Sequence, residues 1–136
     1  MSKANQTEND VISMVFHGDD PAWRAGGNLY VSLHTADPGE GGNQTSSECA
    51  YTPYSRVLVT KDAAGWNVAG PQATNAEDIV WPECASGSET ITHVGIGTAA
   101  TGAGQLLYSG PLVAPRAVSA GIEPRFAASL LQITED

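Results

Sequence analysis

Three histidines, two cysteines and a scatter of carboxylates are the residues of this 136-residue chain that could carry chemistry. His17, His34 and His93 stand at neither HExxH nor HxH spacing, so a metal site would have to gather ligands from distant segments. His34 and His93 read as hydrogen-bonded strand residues. Cys49 and Cys84 are too far apart in sequence for CxxC chemistry, and two thiols alone cannot complete a structural zinc site. They are either a disulfide pair or two small, half-buried side chains. Asp19-Asp20, Glu77-Asp78 and Glu135-Asp136 are adjacent pairs, and neighbours on an extended chain point to opposite faces, which is wrong for two carboxylates flanking one bond. There is no GxSxG elbow and no local thiol-hydrolase motif. Gly95-Ile96-Gly97 has no helix after it, and Thr101-Gly102-Ala103-Gly104 lacks the Lys-Ser/Thr pair of a phosphate loop. Both read as turns or as close strand packing. No catalytic residue, metal ligand or cofactor is predicted, and the chain is expected not to be an enzyme.

Composition points the same way. Apolar residues make up 41% of the chain, enough for a globular core, while charged residues reach only 15%, against about 25% in typical domains. Low charge with many small residues suits a surface that meets other protein surfaces, because fewer charges must be desolvated there. The net charge is −9 with six Lys plus Arg, which repels phosphate backbones and argues against nucleic-acid binding. No apolar run approaches the ~20 residues that span a bilayer. The polar start, Met1-Ser2-Lys3-Ala4-Asn5, has no signal-peptide character. A soluble product of the cytoplasm, without membrane contact, is expected.

The elements that must position these residues follow from periodicity. Residues 7–17 predict a short helix, capped by Thr7, with Glu8 and Asp10 at its positive end and Val11, Ile12, Val15 and Phe16 as an apolar stripe. Gly18 and Asp20-Pro21 stop it. From Leu29 the period becomes two, with Leu29, Val31 and Leu33 alternating against Tyr30, Ser32 and His34 as in a half-buried strand. Asp37-Pro38-Gly39 opens a polar loop to about Ala50, long enough to be either functional or an arm that orders on contact. Further strands are predicted at Ser55–Thr60, Trp66–Ala69, Asp78–Trp81, Thr90–Gly97, Gln105–Ser109 and Phe126–Thr134, although 126–131 also fits a helical turn. Trp66 and Trp81 read as core, and Tyr51 and Tyr54 beside Pro53 as candidates for exposure. The expected fold is mainly β: one β-sandwich or jelly-roll-like domain of about seven short strands over 19–136, with a helical arm at 1–18.

A helix this short is marginal alone and must dock, either on its own sheet or on a neighbouring subunit. The candidate interface is therefore Val11, Ile12, Val15 and Phe16 on the helix, Asp37, Pro38 and Gly39 on the loop, and Tyr51 and Tyr54.

Five blocks together resemble a family of small tailed-phage and prophage virion proteins, often labelled phage tail fibre or phage structural protein. They are Asn5 to Val11, Leu29-Tyr30-Val31-Ser32-Leu33-His34-Thr35-Ala36-Asp37-Pro38-Gly39-Glu40, Tyr51 to Val57, Thr92-His93-Val94-Gly95-Ile96-Gly97-Thr98-Ala99, and Gly102 to Gly110. The end, Ile133 to Asp136, is similar to the family's C-terminus. The resemblance implies a many-copy virion component assembled in the host cytoplasm, with no catalytic residues to carry over. It leaves two roles open. One is a capsid decoration or cement protein that binds the phage major capsid protein by multivalency. The other is a tail, baseplate or fibre component that contacts tail proteins or a host surface. In either, a closed homo-oligomer is expected, with a trimer favoured.

Overall fold

The computed structural model describes residues 1–135 and is mainly β. In chain order it contains β1 (Ser2–Lys3), α1 (Asn5–His17), α2 (Ala22–Ala25), β2 (Asn28–His34), β3 (Val57–Thr60), β4 (Trp66–Ala69), β5 (Gln72–Asn75), β6 (Ile79–Val80), β7 (Glu89–Gly97), β8 (Leu106–Val118), β9 (Arg125–Phe126) and β10 (Gln132–Thr134). A five-stranded antiparallel sheet runs β1-β8-β7-β2-β3. A three-stranded sheet, β10-β5-β4, and the ribbon β6-β9 complete the sandwich. The core lies between these layers. Val31, Leu33, Ile91, Val94, Ile96 and Val118 from the large sheet meet Trp66, Ile79, Trp81, Leu131 and Ile133.

The strand from Leu29 is present but buried on both faces. Val31 and Leu33 face the core, and Ser32 and His34 are as fully covered as they are. The cover is the 36–50 loop. Thr35 and Cys49 donate their amides to Ser47 and Leu33 carbonyls at 2.8 and 2.9 Å, and Gln44 packs over the sheet with no exposure. Gly95-Ile96-Gly97 is close strand packing, as its sequence context implies. A Cβ at Gly97 would sit 2.2 Å from the Gln44 side chain, so only glycine leaves room for the loop to close.

Several boundaries differ from the sequence reading. The helix begins at Asn5, its N-cap is Ala4 without a side-chain cap, and Thr7 is buried inside it. Thr7 is taken from capping because its hydroxyl donates to the Leu106 carbonyl at 3.3 Å. Gly18 does end the helix, at φ 72° with its amide on the Ser13 carbonyl. The last segment is two short strands, β9 and β10, split by a turn in which Leu130 donates to Ala127 and Ser129 takes φ 67°. β8 runs on to Val118 through Pro111 and Pro115, past the strand end expected at Ser109. Among the described residues β1 pairs with Tyr108 and Ser109, Met1 lies against Gly110, and from Pro111 on the outer edge of β8 has no paired strand, so a missing N–H is tolerated there. β8 also bulges against β7 between Pro111 and Arg116. Asp136, the second member of one carboxylate pair, lies outside the described residues.

Candidate interaction surface

The first half of α1 is anchored to β8. Ala4 is buried and donates its amide to Leu107 at 3.0 Å; Thr7 follows on Leu106. Asp10 then accepts from Gln105 Nε2 at 2.8 Å and Trp23 Nε1 at 2.7 Å, and the Gln105 bond leads in holding its carboxyl below the ordinary range. The second half leaves the protein surface. Val11 is half-buried, while Ile12, Val15 and Phe16 are 60%, 64% and 75% exposed. The apolar stripe at 11–16 therefore points mainly to solvent.

The other residues singled out by sequence sit elsewhere. Asp37 is exposed and turns the chain by accepting the Gly39 amide at 2.9 Å; Pro38 is buried and Gly39 half-buried. Tyr51 is 3% exposed, with its hydroxyl on the Pro82 carbonyl at 2.7 Å, and burial pushes its pKa up to about 12. Tyr54 stacks edge-on against Tyr51 at 5.5 Å, accepts the Leu33 amide and donates to Glu48 at 2.8 Å. Both tyrosines are structural here. Their chain is held by the Glu89 carboxylate, which accepts the amides of Ala50 and Tyr51 at 2.9–3.0 Å. The loop is held at its far end by Gln44. Its Oε1 accepts from Thr98 and Ala99 at 3.1 and 2.9 Å, and its Nε2 donates to the Ala99 carbonyl at 3.2 Å.

One side-chain pair has the outline of a catalytic dyad. Ser32 Oγ lies 2.8 Å from His34 Nε2, and His34 Nδ1 lies 2.8 Å from the Ser46 carbonyl. The carbonyl only accepts, so Nδ1 carries the proton and Nε2 accepts from the serine. That points the hydroxyl's proton at a base, but both residues are fully buried and no substrate reaches them. Burial depresses the His34 pKa below 6.5. The unfolded ring gains a proton near 6.5 and the folded one does so only at lower pH, so the unfolded state binds more protons in that window. Stability is full above pH 6.5 and is lost as pH falls below it, by at most about 1.4 kcal/mol per pH unit. Asp10 and Glu135, also held low, contribute stability that is lost only below their unfolded values of 3.8 and 4.5. Urea midpoints are thus expected to fall between pH 6.5 and 5, and His34→Gln to flatten that slope. A flat wild-type profile would show the ring protonating freely in the fold.

Cys49 and Cys84 are free and buried, and burial raises the Cys49 thiol to about 12, which makes it unreactive. Among the described residues no group of His, Cys, Asp and Glu is arranged to hold a metal, and no helix is long and apolar enough to cross a membrane.

Two concave regions with apolar linings bear on contacts with other molecules. The larger, about 720 Å³, opens between the sheets and is lined by Leu29, Trp66, Val68, Tyr108 and Ile133, with Lys61 and Glu135 at its rim. Both rim charges are engaged: Lys61 donates to the Trp23 and Arg24 carbonyls, and Glu135 pairs with Lys3 and accepts from Tyr108. The smaller, about 420 Å³, runs between the outer half of β8 (Leu112 to Arg116) and the segment Pro124 to Leu130, over Leu33, Trp81 and Ile91. Sequence reasoning missed this groove, because Pro111 and Pro115 disguised the strand that forms its wall.

The sequence profile of a family described as Podophage GP4 fiber I protein gp80 matches residues 2–134. No curated protein matches the chain. The profile spans all three sheets, α1 and the grooves, and the chain belongs to that family of phage virion structural proteins.

Proposed function

We propose that this member of the podophage fibre family is a non-catalytic fibre component of the virion, which works by packing against copies of itself and against neighbouring tail proteins. The observation that carries the reading is the outward apolar face of α1: Ile12, Val15 and Phe16 are exposed on a helix whose other end is fixed to β8. A monomer gains nothing from exposing them, and contiguous exposed apolar side chains mark protein contacts. Absence of catalysis is supported by the burial of the Ser32–His34 pair and of both thiols.

The family's description favours a fibre over a capsid decoration protein bound to the major capsid protein. A sparse charge content and an acidic surface suit either. Labelled antibody against the chain, viewed on intact particles, is expected to mark the tail end. Co-sedimentation of the purified chain is expected with isolated tails and not with empty heads. Label over the head faces, or binding to empty heads alone, would replace the fibre reading with the decoration one. A closed homo-oligomer, with a trimer favoured, is expected in either reading, so particle labelling and not oligomeric state decides between them.

A further inference from the structure

We propose that the exposed face of α1 inserts into the groove between β8 and residues 124–130 of a second copy of this chain, giving a head-to-tail contact. The proposal deepens the fibre reading by naming the surfaces through which copies join.

Both halves of the contact lie exposed on one molecule. On α1 the knob is Ile12, Val15 and Phe16. At the groove, Val113 is fully exposed and Leu130 is 67% exposed, with Leu112 and Phe126 half-covered beneath them. The volume of about 420 Å³ falls within the usual range of roughly 300–1,000 Å³ for sites that enclose a ligand group. It matches the helix-in-groove mode, read through anchors at i, i+3 and i+4, which are the positions of Ile12, Val15 and Phe16.

Charge is complementary as well. Arg116 and Arg125 sit at the groove, on a chain with only six basic residues. Arg125 is paired with Asp78, whereas Arg116 is exposed and has no partner among the described residues. Glu8 stands four residues before Ile12, on the same side of the helix; it is exposed, borders a small cleft with Met1 and Lys3, and has no side-chain bond among the described residues. An acidic helix edge thus meets a basic groove edge. Lys61, the cation that lines the larger intersheet cavity, offers no such match, because it is already engaged by the Trp23 and Arg24 carbonyls.

A helix cannot fill the groove of its own chain. Successive contacts of α1 and its N-cap step back along β8 from Leu107 (with Ala4) to Leu106 (with Thr7) and on to Gln105 just before the strand (with Asp10). The helix therefore travels away from Arg116 at the other end of the strand. At about 3.3 Å per residue, Leu106 and Arg116 are separated by roughly 30 Å. The contact forms only in trans. Different surfaces meet, so it is heterologous, and it closes into a ring or continues as an open chain according to its rotation.

The test is sedimentation of the full-length chain with Phe16→Asp on the knob and Val113→Asp on the groove. Both residues are exposed, so thermal unfolding of each variant is expected to match wild type. Each variant alone is expected to lose self-association by about tenfold or more, as central anchors do. Mixed, the two variants are expected to restore one contact, because the intact groove of the first accepts the intact helix of the second. The product is a 1:1 pair of 14.1 kDa chains that grows no further. A second pair, Glu8→Arg and Arg116→Glu, is expected to weaken association singly and recover it when combined in one chain. A monomeric wild type, self-association unchanged in Phe16→Asp, or a mixture that stays monomeric would overturn the contact. Each of those results leaves tail labelling of particles unaffected, so failure of the contact and failure of the fibre reading are told apart.

Discussion

Replacing Arg56 by alanine is expected to remove about 3–5 kcal/mol of stability, because it strands a buried carboxylate. The Arg56 side chain is 3% exposed and its partner Glu48 14%. The guanidinium meets both carboxylate oxygens, Nε to Oε1 at 2.7 Å and Nη2 to Oε2 at 2.8 Å, and donates onward to the carbonyls of Ala99 at 2.8 Å and Gly102 at 2.7 Å. One side chain thus ties the 36–50 loop to the loop after β7. Without it, Glu48 keeps only the Tyr54 hydroxyl, the Gly102 carbonyl loses its donor, and the Ala99 carbonyl is left with the longer bond from Gln44. Whole domains are stable by about 5–15 kcal/mol, so the loss brings the variant close to unfolding. Urea denaturation measures it. Arg56→Lys is expected to recover part of the loss, since an ammonium cannot span a carboxylate and two carbonyls as the planar fork does. A cost below about 1 kcal/mol would mean that the pair is solvated like a surface bridge.

The same network explains what was legible in the sequence and what was not. Local signals were readable where local physics decides. Gly18 ends α1 through its positive φ, Trp66–Ala69 forms the strand its pattern implies, and Gly95-Ile96-Gly97 is close packing rather than a phosphate loop. Period two located β2, but it could not show that a polar loop returns over Ser32 and His34. That cover is built from side-chain bonds by Gln44, Glu48 and Glu89, whose partners lie 6 to 55 residues away. Tyr51 and Tyr54 looked like surface aromatics for the same reason. Proline hid the outer half of β8, since its exclusion from strands applies to central positions and, among the described residues, no strand pairs with this edge past Ser109. The helix stripe was readable as a docking face, yet periodicity alone does not say which neighbour receives it.

Trp81→Ala is the second large effect, expected to cost about 3–5 kcal/mol. The indole is 1% exposed, donates to the Val31 carbonyl at 3.3 Å, and meets Phe126 edge-on with centroids 5.9 Å apart. It joins the large sheet to the β6-β9 ribbon, so its loss opens a cavity and releases a ring pair worth about 0.5–1.5 kcal/mol beyond area. Trp81→Phe keeps most of the apolar contact and gives up the bond to Val31, for a smaller cost of about 1–2 kcal/mol. Trp81 also forms the floor of the groove beside β8. The alanine variant is therefore expected to lose stability and self-association together, whereas Val113→Asp, on the rim, loses association alone. Chemical denaturation and sedimentation of the two variants separate a floor that shapes the groove from a rim that only touches its occupant. If Trp81→Ala costs less than about 1 kcal/mol, the ribbon is held by other contacts and the groove has no rigid base on which a helix could seat.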